Sequence, residues 1–316
     1  MPELPDVTVY AESILTNLGG QSLRGIRLFS PFVLRSVAPP VSDLLARRLE
    51  SVSRIGKRIV LELEGELFIV IHLMIAGRFQ LKNSEPLPKS PGKIGLASFD
   101  FETRSLILTE ASQKKRASVH LVSGRAGLDA HRRGGIEPLE VELATFRAAL
   151  SRERHTLKRA LTDPDLVSGI GNAYSDEILH AARLSPFQLT THLDDESWDR
   201  LFSATRLVLT AWTDRLRKEA GDFPTKVTAF RPEMAVHGKY RSPCPVCGSP
   251  VLRIVHGDNE SNYCAGCQTG GRVLADRSLS RLLKEDWPRS LDDLEDRPAL
   301  IKSRPRTRRK TGTKAT

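Results

Sequence analysis

The four cysteines of this 316-residue chain all lie between positions 244 and 267, as Cys244-x2-Cys247 and Cys264-x2-Cys267 with sixteen residues between the pairs. No other feature limits the possible folds as much. Each CxxC places two sulfurs on one tight turn, and the intervening "VLRIV" run has the composition of a hairpin strand. Close pairs of this kind, with no other cysteine for alternative pairing, fit a tetrahedral four-thiolate zinc site better than disulfides. Four thiolates leave no open coordination position, so the single zinc expected here is structural.

The remaining sequence points to a protein expected in the cytoplasm. No apolar run approaches the ~20 residues that span a bilayer. The longest, "LFIVIHLMIAG", has strand length and contains His72. The first residues include Glu3 and Asp6 and lack a basic, apolar leader, so no signal peptide is expected. Net charge is +10, which suits a polyanionic partner. Seven of the basic residues belong to the tail "KSRPRTRRKTGTKAT", and without them the balance is +3. The case for nucleic acid must therefore rest on where charge is placed.

The pattern of elements predicts an α+β protein. "DVTVYAESILTNLGG" has apolar residues at helical spacing, with Asp6 as its expected cap and Gly19-Gly20 as its stop. "RIVLELEGELFIVIHL" and "GLASFDFETRSLILTE" are two hairpins turning near Glu64-Gly65 and Glu102-Thr103. Residues 1–125 thus read as a sheet-rich domain entered by a helix, and 126–141 as an irregular linker. Helical period dominates residues 142–233, the zinc unit occupies 234–272, and 273–316 is an extension ending in a disordered basic tail. In "DLVSGIGNAYSDEIL", Gly169 and Gly171 precede a helix that starts near Asn172. Uncrowded N–H groups at such a terminus suit phosphate, with Asn172 and Lys158 as possible donors, although an ordinary helix corner reads the same way.

Four separated stretches, in order, resemble the formamidopyrimidine-DNA glycosylase/endonuclease VIII family: Pro2-Glu3-Leu4-Pro5, Gly56-Lys57-Arg58, Leu166 to Tyr174, and "VHGKYRSPCPVCGSP" through "NYCAGCQ". The resemblance covers roughly residues 2 to 268. It implies an N-terminal β-sandwich, a helix–two-turn–helix domain, a zinc-ribbon hairpin and a monomer acting on damaged double-stranded DNA as a bifunctional glycosylase and abasic-site lyase. Methionine removal would expose Pro2 as the nucleophile, with Glu3 as general acid and Lys57 contacting phosphate or assisting base departure. Elementary chemistry agrees: an α-amine titrates at ~7.7–8.0, far below a lysine at ~10.4, so part of it is neutral near pH 7. Lys158 and Asn172 match the phosphate-gripping positions of the family. His72, inside a β-rich run, is expected to be a hydrogen-bonded structural residue.

The departures from the family pattern fall on lesion handling. Ile75, or Met74 with a small shift, stands where one wedge side chain is inserted into the duplex. The loop that supplies the other wedges is replaced by "TEASQKKRASVH", in which Lys114, Lys115 and Arg116 are candidate phosphate contacts. Asn259 stands where many members have a finger arginine, with Arg253 or Arg272 as replacements. A second function is therefore open: a non-catalytic or lyase-only protein that binds DNA structure on the same scaffold.

Overall fold

The computed structural model describes residues 1–256, 259–275, 289–291 and 293. Most of the expected C-terminal extension, its basic tail included, lies outside the described residues. The first part of the chain runs α1 (Leu4–Leu18), β1 (Leu23–Leu28), α2 (Val41–Leu44), β2 (Leu49–Ile55), β3 (Arg58–Leu63), β4 (Leu67–His72), β5 (Gly77–Asn83), β6 (Gly95–Phe101), β7 (Arg104–Glu110), β8 (Ser118–Ser123) and α3 (Arg125–Asp129). Then follow α4 (Leu143–Ser151), α5 (Leu157–Thr162), α6 (Asn172–Ala181), α7 (Asp195–Ala220), β9 (Val251–His256), β10 (Asn259–Cys264) and α8 (Ala265–Thr269).

Two four-stranded antiparallel sheets, ordered β1-β6-β7-β5 and β2-β3-β4-β8, face each other. Alternation decides which side chains meet between them. Ile59, Leu61, Ile69 and Ile71 point into the sandwich, while Val60, Phe68 and Val70 point out. The outer set is buried as well, because Leu128 of α3 covers it. That contact explains why part of the expected irregular linker is a one-turn helix.

Helix α1 belongs to both halves of the molecule. Val7, Tyr10, Ile14 and Leu18 enter the sandwich core, whereas Leu4 enters a second core with Leu166, Ile170, Tyr174 and Trp198. Burying Leu4 there contributes about 2 kcal/mol. The helix begins earlier than its sequence suggests. Glu3, not Asp6, is the N-cap, and Asp6 sits in the first turn, where its Oδ2 accepts the Glu3 N–H at 3.0 Å. Pro5 fits that first turn because its missing N–H has no helical partner to lose.

Helix α7 packs along α1. The Asp194 carboxylate caps it by accepting the Ser197 N–H at 2.8 Å, with acidic residues in its first turn and basic ones in its last, as the helix dipole favours. The β9–β10 hairpin follows as a small third layer, carrying Val236, Cys244, Val251 and Cys264 in one buried cluster. The α+β architecture is thus a sandwich, a helical domain and a zinc hairpin in chain order. Among the described residues no helix is long and apolar enough to cross a membrane.

Candidate active site and metal centre

The chain terminus is held at the N-terminus of α6. Leu4 N–H donates to the Gly169 carbonyl at 2.9 Å, which draws Glu3 onto the helix end. The Glu3 carboxylate, 2% exposed, accepts N–H groups from Gly171 at 2.6 Å, Ala173 at 2.9 Å and Tyr174 at 3.3 Å. These are otherwise orphaned helix donors, and an anion is favoured there. Two glycines are needed for this approach. Gly169 has φ +81° and lies against the Leu4 side chain. A Cβ on Gly171 would come within 2.6 Å of the Glu3 carboxyl carbon, of Glu3 Oε1 and of Lys57 Nζ. That one vacancy brings the acid and the amine together.

A cleft of about 540 Å³ opens on this point, with Met1, Lys57, Arg58, His72 and Gly135 among its walls. Enclosure lowers the Lys57 ammonium from its ordinary value, against the opposing Glu3 charge and with help from Lys158. The terminal amine, on Met1 in this chain, is also lowered by burial; Glu3 and Asp6 oppose the shift, and Arg78 and Lys57 add to it. His72 faces the same cleft, and burial, with Arg58 and Lys57 nearby, pushes it down to about 4. Its ring makes no hydrogen bond among the described residues, so it is a neutral wall of the cleft and not the bonded residue expected.

A second cavity, about 410 Å³, lies behind Asp6 and is walled by Val9, Glu219, Lys226, Val227 and Arg231. Burial raises Asp6 to about 6, against the Glu3 N–H and Arg231. Arg231 donates to Glu219 Oε2 at 2.8 Å and to the Lys226 carbonyl at 3.1 Å, and stands 3.7 Å from Asp6 Oδ1. Arg78 donates to the Val227 carbonyl at 2.6 Å. Two arginines thus pin the loop after α7 over the terminus. Neither was anticipated, because both act through contacts remote in sequence.

The residues expected to meet DNA have distinct surroundings. Lys158 is buried, its ammonium 2.5 Å from Asp176 Oδ1 and 2.7 Å from the Asn172 carbonyl. Asn172 is half-buried at the start of α6, and its side-chain amide makes no hydrogen bond among the described residues. Ile75 projects from the β4–β5 turn, 59% exposed. The loop after β7 is folded around the Glu110 carboxylate, which accepts from Ser112 Oγ and from the N–H groups of Arg116 and Ala117. Lys115 bonds the Glu110 carbonyl, leaving Lys114 and Arg116 exposed. The Asn259 side chain lies outside the described residues. Arg253 stacks on Tyr240 at 4.4 Å from the ring centroid and lies 3.6 Å from Glu260, while Arg272 sits after the α8 turn.

The four cysteine sulfurs lie within 4.8 Å of one another. Cys247 and Cys264 are 3.3 Å apart, and Cys244 and Cys267 3.8 Å. Tetrahedral zinc with bonds of ~2.3 Å calls for sulfurs about 3.8 Å apart, so the cluster fits one structural zinc. The hairpin is seated on α6. Glu177 accepts N–H groups from Ala235, Val236 and His237, and Asp176 Oδ2 accepts from His237 Nδ1 at 2.8 Å and Asn262 at 3.2 Å. His180 Nε2 lies 3.3 Å from Cys244 Sγ. Buried acids and a histidine at i, i+1 and i+4 inside a predicted helix were the available sign of this seat.

Comparison with known proteins gives a consistent result. Family models match in three consecutive pieces: the formamidopyrimidine-DNA glycosylase N-terminal domain over residues 1–134, the formamidopyrimidine-DNA glycosylase H2TH domain over 135–215, and the zinc finger found in FPG and IleRS over 241–270. A formamidopyrimidine-DNA glycosylase of Thermus thermophilus is 32% identical over 285 residues, covering 86% of this chain and 100% of that protein. A crystal structure of MutM (FPG) from the same organism superposes with a TM-score of 0.72 at 30% identity, over 84% of this chain and 98% of that one. The fold is shared too by a Lactococcus lactis formamidopyrimidine-DNA glycosylase bound non-covalently to abasic-site DNA. There the TM-score is 0.73 at 22% identity, over 84% and 99% of the two chains.

Proposed function

Since the chain belongs to the formamidopyrimidine-DNA glycosylase family, we propose that it is a DNA glycosylase of base excision repair that also cleaves the strand at the resulting abasic site. The observation that carries this reading is the pinning of Glu3 to α6 beside Lys57 and the chain terminus. A protein that only grips DNA has no use for a carboxylate, an ammonium and a terminal amine in one cleft.

The chemistry begins once Met1 is removed and Pro2 carries a free secondary amine. Enclosure beside cationic Lys57 and Arg78 keeps more of such an amine neutral, so its lone pair is available near neutral pH. That pair attacks C1′ of the damaged nucleotide, and the C1′–N bond breaks with its electrons leaving on the base. Lys57, its ammonium eased downward, supplies the departing base with a proton. Glu3 takes the proton from the attacking Pro2 nitrogen and, as general acid, passes it to the ring oxygen; opening of the ring yields an iminium ion between Pro2 and C1′. Loss of a C2′ proton then expels the 3′ phosphate, and water releases the enzyme. The cavity behind Asp6 is the space beside the terminus into which an everted base fits. Lys114, Arg116, Lys158, Asn172 and Asn259 are proposed DNA contacts, and Ile75 the wedge.

One observation favours a narrower lyase-only chemistry. The loop after β7 is wrapped on Glu110 and offers no aromatic wedge. Borohydride trapping on abasic-site DNA tests the common core of both readings. The native protein should give a covalent adduct at Pro2, and a chain with one extra residue before Pro2 should give none. Absence of an adduct from the native protein refutes the lyase. Oxidised purines, oxidised pyrimidines and bulky adducts in intact strands then separate glycosylase from lyase-only activity.

A further inference from the structure

We infer that His180 is a positioning residue of the zinc centre, donating its Nε2–H to the Cys244 thiolate and tying the metal to α6. The ring nitrogen lies 3.3 Å from Cys244 Sγ. Both groups are buried, at 6% and 3% exposure, so water does not supply this bond. A zinc-bound thiolate carries no proton, and the hydrogen between the two atoms therefore belongs to the imidazole. This places a hydrogen on Nε2.

The electrostatics give the bond its purpose. Four thiolates around one zinc leave a surplus of negative charge that must be offset by donors. Cys247 is exposed and can be hydrated. Cys264 accepts the Cys267 N–H at 3.4 Å. Cys244, sealed beneath the hairpin, has the Val246 N–H at a long 3.5 Å and the imidazole. The other α6 contacts to this layer, from Asp176 and Glu177, reach backbone and non-ligand side chains. Among the described residues of α6, His180 alone bonds a metal ligand. It is thus the outer partner that orients a first ligand and lowers the charge on its sulfur.

The test uses the full-length zinc-loaded protein with His180→Met and His180→Gln. Methionine fills the site without a donor, and glutamine places an N–H near the Nε2 position. Zinc transfer to a chromogenic chelator should be about ten- to a hundred-fold faster for His180→Met, the usual consequence of losing an outer partner. Glutamine should restore most of the difference. With cobalt in place of zinc, the sulfur-to-metal charge-transfer band should move to lower energy in His180→Met and return in His180→Gln, since a sulfur lone pair without a donor ionises more easily. Should His180→Met fail to fold, nitrogen-15 spectra of the native histidine decide, with Nε2 expected protonated. A native Nε2 without hydrogen overturns the inference, as do unchanged release and an unchanged cobalt band in His180→Met.

Discussion

Gly171→Ala is the sharpest single perturbation of the site. Its backbone angles, φ −131° and ψ −155°, are open to alanine, so any effect comes from crowding alone. The added Cβ would stand 2.6 Å from the Glu3 carboxyl carbon and 2.6 Å from Lys57 Nζ. The lysine end can swing aside. Glu3 cannot, because three N–H groups of the same helix end hold it at 2.6, 2.9 and 3.3 Å. Reaching ordinary contact near 3.4 Å requires a retreat of about 0.8 Å, which breaks the longest of these bonds and stretches the others. Bonds to a charged group contribute about 1.5–3 kcal/mol each, so a destabilisation of about 2–4 kcal/mol is expected after relaxation. A displacement near 1 Å at reacting groups costs about a hundredfold in rate. Single-turnover borohydride trapping at saturating abasic-site DNA measures the rate, and fluorescence anisotropy measures binding. We expect trapping to fall about a hundredfold while affinity changes little. A variant that traps within threefold of the native rate, with unchanged melting, would mean that Glu3 and Lys57 do not act from the positions described.

Asp6 gives a pH test. It titrates at about 6 when folded and ~3.9 when unfolded, so the folded chain holds the extra proton between those values and stability falls as pH rises from about 4 to 6. The decline amounts to about 3 kcal/mol, and Asp6→Asn should remove it; native and variant melting curves that run parallel over this range refute the assignment. Lys158→Ala strips the counter-ion from a buried carboxylate and should cost about 3–5 kcal/mol in urea unfolding. If the ammonium also meets phosphate as proposed, the salt slope of DNA binding drops by about one; an unchanged slope assigns it to Asp176 alone. Chelation of zinc should unfold the hairpin and abolish DNA binding while the sandwich keeps its melting transition; binding that survives full zinc loss refutes a role for the finger in the interface.

What was legible in the sequence is what short-range chemistry dictates. The cysteine pairs could be assigned to zinc because metal-ligand spacing is local. The hairpins at Gly65 and Thr103 could be placed because strand alternation and turn residues are local too. The α1 cap lies three residues before the position the sequence suggests: Asp6 is a good cap by type, but Pro5 in the first turn is the better marker. The site itself was only half visible. Pro2, Glu3 and Lys57 stood out through family likeness, yet nothing in the sequence says that Glu3 meets Gly171, 168 residues away. Arg78 and Arg231 carry no local sign of their role either, since their partners across the terminus are set by the fold. The loop after β7 was read by its lysines, whereas its shape is set by Glu110, whose carboxylate gathers the chain around itself.

The 168-residue reach between Glu3 and its helix-end partners also governs how the site comes into being during synthesis. Glu3 and Leu4 leave the ribosome long before the groups that receive them have been made. At about 5–20 residues per second, translation needs roughly ten to thirty seconds to supply the start of α6. During that interval the sandwich can close on Val7, Tyr10 and Ile14, while Leu4 stays uncovered. The hairpin that seats on α6 arrives later still. The nascent protein therefore passes through a state with no assembled cleft, in which Glu3 and Leu4 are open to solvent before anything encloses them.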